Sequence, residues 1–170
     1  MKTAEIYFAG GCFWGTEHFF KQVRGVVDTQ VGYANGHADA APTYEEVCTD
    51  RTGFAETVRV RYDADVASLE FLVRMYFHAI DPTSLNRQGH DVGTQYRTGV
   101  FYTDAGQLPV LEAVFNEVRG RVGEAFAVEL LPLRNFYAAE DYHQDYLDKN
   151  PAGYCHLPLE LFRWAKAQEP

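Results

Sequence analysis

The stretch from Glu5 to Val23 constrains this chain more than any other. Glu5–Ala9 reads as a buried strand, and Phe13–Val23 carries apolar residues at helical spacing, with Trp14, Phe20 and Val23 inward. Only Gly10-Gly11-Cys12 separates them. Two glycines let the backbone turn sharply and come close to another group. They also set Cys12 at the start of a helix.

The same alternation continues along the chain. Gly25–Tyr33 reads as a second strand through Val26, Val27 and Val31. Thr43 can cap a short helix running through Cys48. Thr57–Tyr62 alternates, with Val58, Val60 and Tyr62 on one face. Ser68–Ala79 is predicted as a helix through Leu69, Leu72, Val73 and Tyr76, stopped by Asp81-Pro82. Thr98–Tyr102 is a strand. Asp104 and Gln107 resemble a capping box opening a helix to Arg121, with Leu108, Leu111, Phe115 and Val118 inward. Ala127–Leu131 is a strand, Ala139–Asp148 a polar helix ended by Asn150-Pro151, and Pro158–Lys166 a last helix. Strands alternating with helices predict an α/β or α+β class, one sheet covered by helices.

The chain has 170 residues, 46% of them apolar, which suits one domain with a real core. No repeat or linker divides it. A polar, turn-rich region lies near 83–97 and an irregular tail at the end. Fifteen basic residues against 24 acidic ones give 15 − 24 = −9. That charge argues against nucleic acid or an anionic membrane as partner. No apolar run is long enough to span a bilayer and no signal peptide is visible, so a cytoplasmic location is expected. Three widely spaced cysteines do not make a disulfide scaffold.

Reactivity is therefore the sharper question. A thiol at a helix N-terminus meets unpaired N–H groups and the positive end of the helix dipole, and both favour the thiolate. Phe13 and Trp14 would give it an apolar wall. A buried structural cysteine remains the plain alternative. Other chemistries fail on spacing. A phosphatase-type loop needs arginine six residues after the cysteine, where His18 stands. There is no Cys-x-x-Cys, no paired zinc ligands beyond the too-close Cys155-His156, and no phosphate-loop lysine.

Gly11-Cys12-Phe13-Trp14-Gly15 resembles the signature of the class A peptide methionine sulfoxide reductases. Further matches follow in the family's order: Pro42-Thr43-Tyr44 with Glu46-Val47-Cys48, Thr52-Gly53-Phe54-Ala55-Glu56, Asp81-Pro82-Thr83, Arg87-Gln88-Gly89 and Asp91-Val92-Gly93-Thr94-Gln95-Tyr96-Arg97. Phe136-Tyr137, Ala139-Glu140, His143-Gln144, Lys149-Asn150-Pro151 and Gly153-Tyr154-Cys155 complete the resemblance over about residues 5–157. Phe54 stands where the family commonly has His, and His90 where it has Asn.

The resemblance implies an α+β two-layer sandwich, a ferredoxin-like mixed sheet with covering helices. It implies one catalytic domain over 1–170, acting as a monomer, with a tail at 150–170 carrying a resolving cysteine. Its implied chemistry is reduction of methionine (S)-S-oxide, free or in proteins, to methionine. Cys12 would attack sulfur and Glu56 would give the oxygen a proton, since a carboxyl in a dry pocket stays protonated near neutrality. Tyr44 and Tyr96 would donate hydroxyl hydrogen bonds to that oxygen. Phe13, Trp14, Asp91 and His143 would line the substrate site. Cys155 would convert the Cys12 sulfenic acid to a disulfide, recycled by an external dithiol, thioredoxin. Cys48 reads as structural, and is next in line to resolve should Cys155 not do so. No metal or organic cofactor is implied. Two rivals stay open on the residues: an acyl-transfer enzyme or hydrolase built on Cys12 and Glu56, which lacks a placed base, and a redox-regulated binding module.

Overall fold

The computed structural model describes residues 1–170. Eight strands and six helices follow in chain order: β1 (Thr3–Gly10), α1 (Phe13–Lys21), β2 (Val26–Ala34), α2 (Tyr44–Val47), β3 (Ala55–Asp63), α3 (Leu69–Ala79), β4 (Arg87–Gln88), β5 (Asp91–Val92), β6 (Thr98–Tyr102), α4 (Leu108–Val122), β7 (Glu129–Pro132), β8 (Phe136–Ala138), α5 (Tyr146–Lys149) and α6 (Leu159–Ala167). The main sheet runs β7-β6-β1-β3-β2-β8. Only the β6–β7 pair is parallel, with α4 as its crossover. The inner order β6-β1-β3-β2, threaded β-α-β-β-α-β with α1 and α3, is the ferredoxin-like arrangement.

The pleat sorts residues between two faces. Ile6 and Phe8 of β1 and Val58, Val60 and Tyr62 of β3 enter the large core beneath α1, α3, α4 and α6. Tyr7, Ala9, Ala55 and Phe101 point the other way into a small cluster, covered by Leu133 and Phe136. With all four long helices on one face, this is the expected two-layer sandwich. The β1–β3 and β2–β3 registers bring Phe8 opposite Val58 and Tyr33 opposite Glu56. The tip of β1, the start of α1 and the start of β3 thereby converge at one end of the sheet.

Four local expectations are corrected. Val27 is exposed because β2 carries a bulge between Val26 and Asp28. Asp104 and Gln107 do not form a capping box: Asp104 accepts from the Gly106 N–H, while the Gln107 side chain reaches the Thr103 N–H and the Glu5 carbonyl. The reciprocal box sits at α2, where Thr43 Oγ1 accepts from the Glu46 N–H and Glu46 Oε1 from the Thr43 N–H. No helix spans Ala139–Asp148. A single turn at Asp141–His143 is cut from α5 by Asp145, whose φ of 55° is left-handed. Side chains hold that break open. Gln144 exchanges 2.9 Å hydrogen bonds with both backbone groups of Val31, and Glu17 accepts from the Asp145 N–H at 2.9 Å. Cys48, read as structural, is exposed.

Candidate active site

Cys12 is the N-cap residue of α1. Gly11 before it has φ of 88°, and an added Cβ there would lie 2.7 Å from the Gln88 Cβ. Glycine is required both for the turn and for the close approach of the β4–β5 hairpin. The Cys12 side chain is nearly covered, 7% exposed. Burial pushes its thiol well above the ordinary value, the charge of Glu56 raises it further, and the Trp14 backbone N–H pulls it down. This corrects the expectation that the helix end alone would favour the thiolate. The helix N–H is present, but loss of water and a neighbouring carboxylate outweigh it.

Glu56 lies on β3 and is 1% exposed. Its Oε1 accepts from the Phe13 N–H at 3.2 Å, one of the unpaired donors of α1, and its Oε2 accepts from Gln95 Nε2 at 2.9 Å. Glu56 therefore caps the same helix turn that Cys12 begins. Burial pushes its carboxyl up to about 7, against the pull of the Gln95 and Phe13 donors. Tyr44, the first residue of α2, and Tyr96, in a tight turn before β6, both have hydroxyls raised by burial first and by Glu56 second. Two protonated phenols thus surround one carboxyl.

Aromatic rings close the site. His143 is fully buried, 5.1 Å from the Phe13 ring and 4.6 Å from the Tyr44 ring between centroids. Trp14 Nε1 donates to His143 Nδ1 at 2.9 Å and its indole stacks on Tyr146. An indole N–H can only donate, so Nδ1 is the acceptor and a neutral ring carries its proton on Nε2. Burial lowers the His143 value and keeps the ring neutral. Its Nε2 is buried without a partner. Phe54 is sealed in the core beside Gly36, its ring edge toward Tyr137, and His90 is exposed in the β4–β5 turn.

The tail docks onto this end. Asp91 Oδ1 accepts from the Tyr154 hydroxyl at 3.0 Å, while Oδ2 is buried without a partner. Burial first, then that bond and the Asp91 charge, push the Tyr154 hydroxyl up to about 12. Cys155 and His156 pack on α1 itself: an added Cβ at Gly15 would lie 3.1 Å from Cys155 Sγ and 2.9 Å from His156 Nδ1. Gly15 and Cys12 are three residues apart, hence on the same helix face. All three cysteines are free thiols. Cys48 is at the far rim, where Gln95 Nε2 donates to its sulfur at 3.5 Å.

Every residue singled out in the sequence gathers here, and three others join them. Gln95 joins Glu56 to Cys48. Glu140 accepts from the Tyr33 hydroxyl at 2.8 Å and the Tyr44 N–H at 3.0 Å, fixing the start of α2. His156 seats its ring against the Gly10 carbonyl at 3.2 Å. Gln95 and Glu140 stood inside motifs already noted; the burial of Gln95 and the long-range hydrogen bonds of Glu140 were the missing signals. His156 had only its place beside Cys155.

The family model described as peptide methionine sulfoxide reductase matches residues 4–169. The peptide methionine sulfoxide reductase MsrA of Clostridium acetobutylicum is 52% identical over 159 residues, covering 94% of this chain and 98% of that protein. Among solved structures, reduced Mxr1 from Saccharomyces cerevisiae superposes with a TM-score of 0.86 at 42% identity, over 91% of this chain and 89% of that one. Mxr1 in complex with Trx2 superposes with a TM-score of 0.60 at 29% identity, over 85% of each chain. A match that runs through both the Cys12 turn and the Cys155 tail leaves one assignment: the chain belongs to the peptide methionine sulfoxide reductase family.

Proposed function

We propose that this chain reduces the S epimer of methionine sulfoxide, free or in proteins, to methionine, with Cys12 as nucleophile and Glu56 as acid. The observation that carries the residue roles is the shared helix turn, where a carboxyl raised to about 7 caps the N–H beside the thiol. The Cys12 sulfur attacks the sulfoxide sulfur while the oxygen takes a proton from Glu56 and hydrogen bonds from Tyr44 and Tyr96. The sulfur–oxygen bond of the substrate breaks, and the oxygen ends on Cys12 as a sulfenic acid. Methionine leaves with the electron pair. Phe13, Trp14 and the neutral His143 ring form the apolar slot for the substrate methyl group, and Asp91 holds the flap formed by β4 and β5 against the tail. Cys155 then displaces hydroxide from the sulfenic sulfur, giving the Cys12–Cys155 disulfide and water. A protein dithiol, thioredoxin, reduces that disulfide. A member of this fold solved with Trx2 supports that partner.

Cys155→Ser is the first test. It should retain one turnover per Cys12 and lose thioredoxin-driven cycling. Normal cycling in that variant would move the resolving role to Cys48.

The pH profile is the second. With the thiol well above its ordinary value and Glu56 at about 7, the single proton of the pair rests on Cys12 in mildly alkaline solution. The reactive arrangement, thiolate beside carboxylic acid, holds the same number of protons. The kcat/KM should rise as pH passes an apparent value near 7, then fall when the last proton leaves, and both values belong to the pair. Gln95 stabilises the Glu56 carboxylate. Gln95→Leu should therefore move the acidic limb to higher pH by about 1–2 units, the worth of one hydrogen bond to a buried charge. An unmoved limb would show that Gln95 does not position Glu56.

A further inference from the structure

We propose that the cleft of about 350 Å³ lined by Asp50, Arg51, Arg97, Glu129 and Arg134 binds an acidic side chain of a polypeptide substrate, a few residues from its oxidised methionine. The inference rests on the function proposed above and adds to it a preference among protein substrates.

Of the 4 clefts in the surface, this one alone has no apolar side chain in its lining. Three guanidiniums face two carboxylates there, in a chain of net charge −9. Both carboxylates are already engaged. Glu129 Oε1 accepts from Arg97 Nε at 2.8 Å, and the rest of the Arg97 fork donates to the Thr94 carbonyl at 3.1 Å and the Asn35 carbonyl at 3.4 Å. Asp50 Oδ1 accepts from the Thr94 N–H at 2.8 Å and from its hydroxyl at 2.7 Å. Arg51 and Arg134 are left over. Both are exposed, and neither joins any ion pair of the chain. The only side-chain bond of Arg134 is one of 3.4 Å to the Asn35 carbonyl. A lone exposed arginine is usually just a solvated charge. Two that share one cleft, whose own acids are taken, offer paired N–H donors that match a carboxylate.

The cleft adjoins the catalytic groups along the chain. Asp50 lies two residues beyond Cys48, whose sulfur meets Gln95. Gly53, also in the lining, comes three residues before Glu56. Thr94 and Arg97, both in the lining, flank Gln95 and Tyr96. An extended chain covers about 3.5 Å per residue, so a carboxylate roughly two to four residues from the methionine sulfoxide reaches the cleft while the sulfoxide meets Cys12. The rest of the rim is acidic, with Glu45 and Glu46 in the first turn of α2 and Asp91 on β5. An acidic substrate segment is repelled from those sides and drawn to this one.

The experiment is a ratio measured within each protein. Short peptides carry one methionine sulfoxide and, at a single flanking position on either side, Glu or Gln. Their reduction is followed with dithiothreitol. At the position that reaches the cleft, kcat/KM for the Glu peptide should exceed that for the Gln peptide by about three- to tenfold in dilute buffer, the worth of two partly solvated charge contacts. The ratio should shrink toward one in about 1 M salt. Arg51→Gln with Arg134→Gln should bring it to one, and Arg51→Glu with Arg134→Glu should invert it. A site merely damaged by substitution loses both peptides alike and keeps the ratio. Arg24→Gln with Arg163→Gln removes the same charge from other exposed positions and should also keep it. A ratio of one at every position in the parent overturns the cleft. So does a ratio that salt leaves unchanged, or one that falls equally in the Arg24 and Arg163 control. Failure of the parent to reduce either peptide would instead overturn the proposed function itself.

Discussion

Cys12→Ser is expected to remove sulfoxide reduction with every reductant, by about 10⁴-fold or more, as loss of a nucleophile does elsewhere. The chemistry leaves no substitute. Serine cannot take the oxygen as a sulfenic acid, and its hydroxyl is not ionised in a site that already holds a thiol well above its ordinary value. The fold should survive the change. Serine is close to isosteric, and it is a favoured residue at a helix N-cap, the place Cys12 occupies. Two readouts together make the case: turnover with dithiothreitol, and labelling by a sulfenic-acid reagent after one addition of methionine sulfoxide. Parent protein lacking Cys155 should label stoichiometrically, and the same protein lacking Cys12 should not label. Residual turnover in Cys12→Ser at more than about one part in a hundred would assign the attack to another thiol. The acyl-transfer rival separates in the same assay, because it consumes no thiol equivalents per sulfoxide.

How much of this was legible beforehand follows from where information lies in the chain. The strand–Gly-Gly–Cys–helix junction was readable because φ, spacing and apolar period agree over Glu5–Val23. β3 was readable from Val58 on, where buried Val58, Val60 and Tyr62 alternate with half-buried Arg59 and Arg61. The strand order was not, since it depends on long-range pairings that single-residue patterns do not encode. The segment 139–148 misled because its helical pattern is overridden by Gln144 pairing with β2 and by the left-handed Asp145. The site residues came from ordered motifs, and the structure gathers them at one end of the sheet. Their electrostatics were only half legible. Helix position argued for an acidic Cys12 thiol. Burial and Glu56, both products of the tertiary fold, reverse the sign. Gln95 went unnoticed for the same reason: nothing local marks a glutamine as the partner of a carboxylate 39 residues away.

That reversed sign gives the second large effect, in Glu56→Gln. The amide keeps an oxygen for the Phe13 N–H and nearly the volume of the acid, so the cap on α1 stays made. It has no acidic proton to give. Reduction should fall by about 10²–10⁴-fold, the usual worth of a positioned general acid. A structural account of Glu56 would also expect a fall, so the rate alone decides little. The reactivity of Cys12 decides more. Glu56 is the largest charge holding the thiol up, and replacing it by a neutral amide removes that repulsion. At a fixed pH above 7, Cys12 should therefore be alkylated faster by iodoacetamide in Glu56→Gln than in the parent, while sulfoxide reduction collapses. A damaged or loosened site also exposes thiols, so a second comparison is needed below pH 6. There Glu56 is protonated in the parent, the charge is gone from both proteins, and their alkylation rates should converge. If the two rates stay apart at low pH, the substitution has opened the site. If they never differ, Glu56 does not set the proton balance of Cys12, and the coupled pair is the wrong description of this active site.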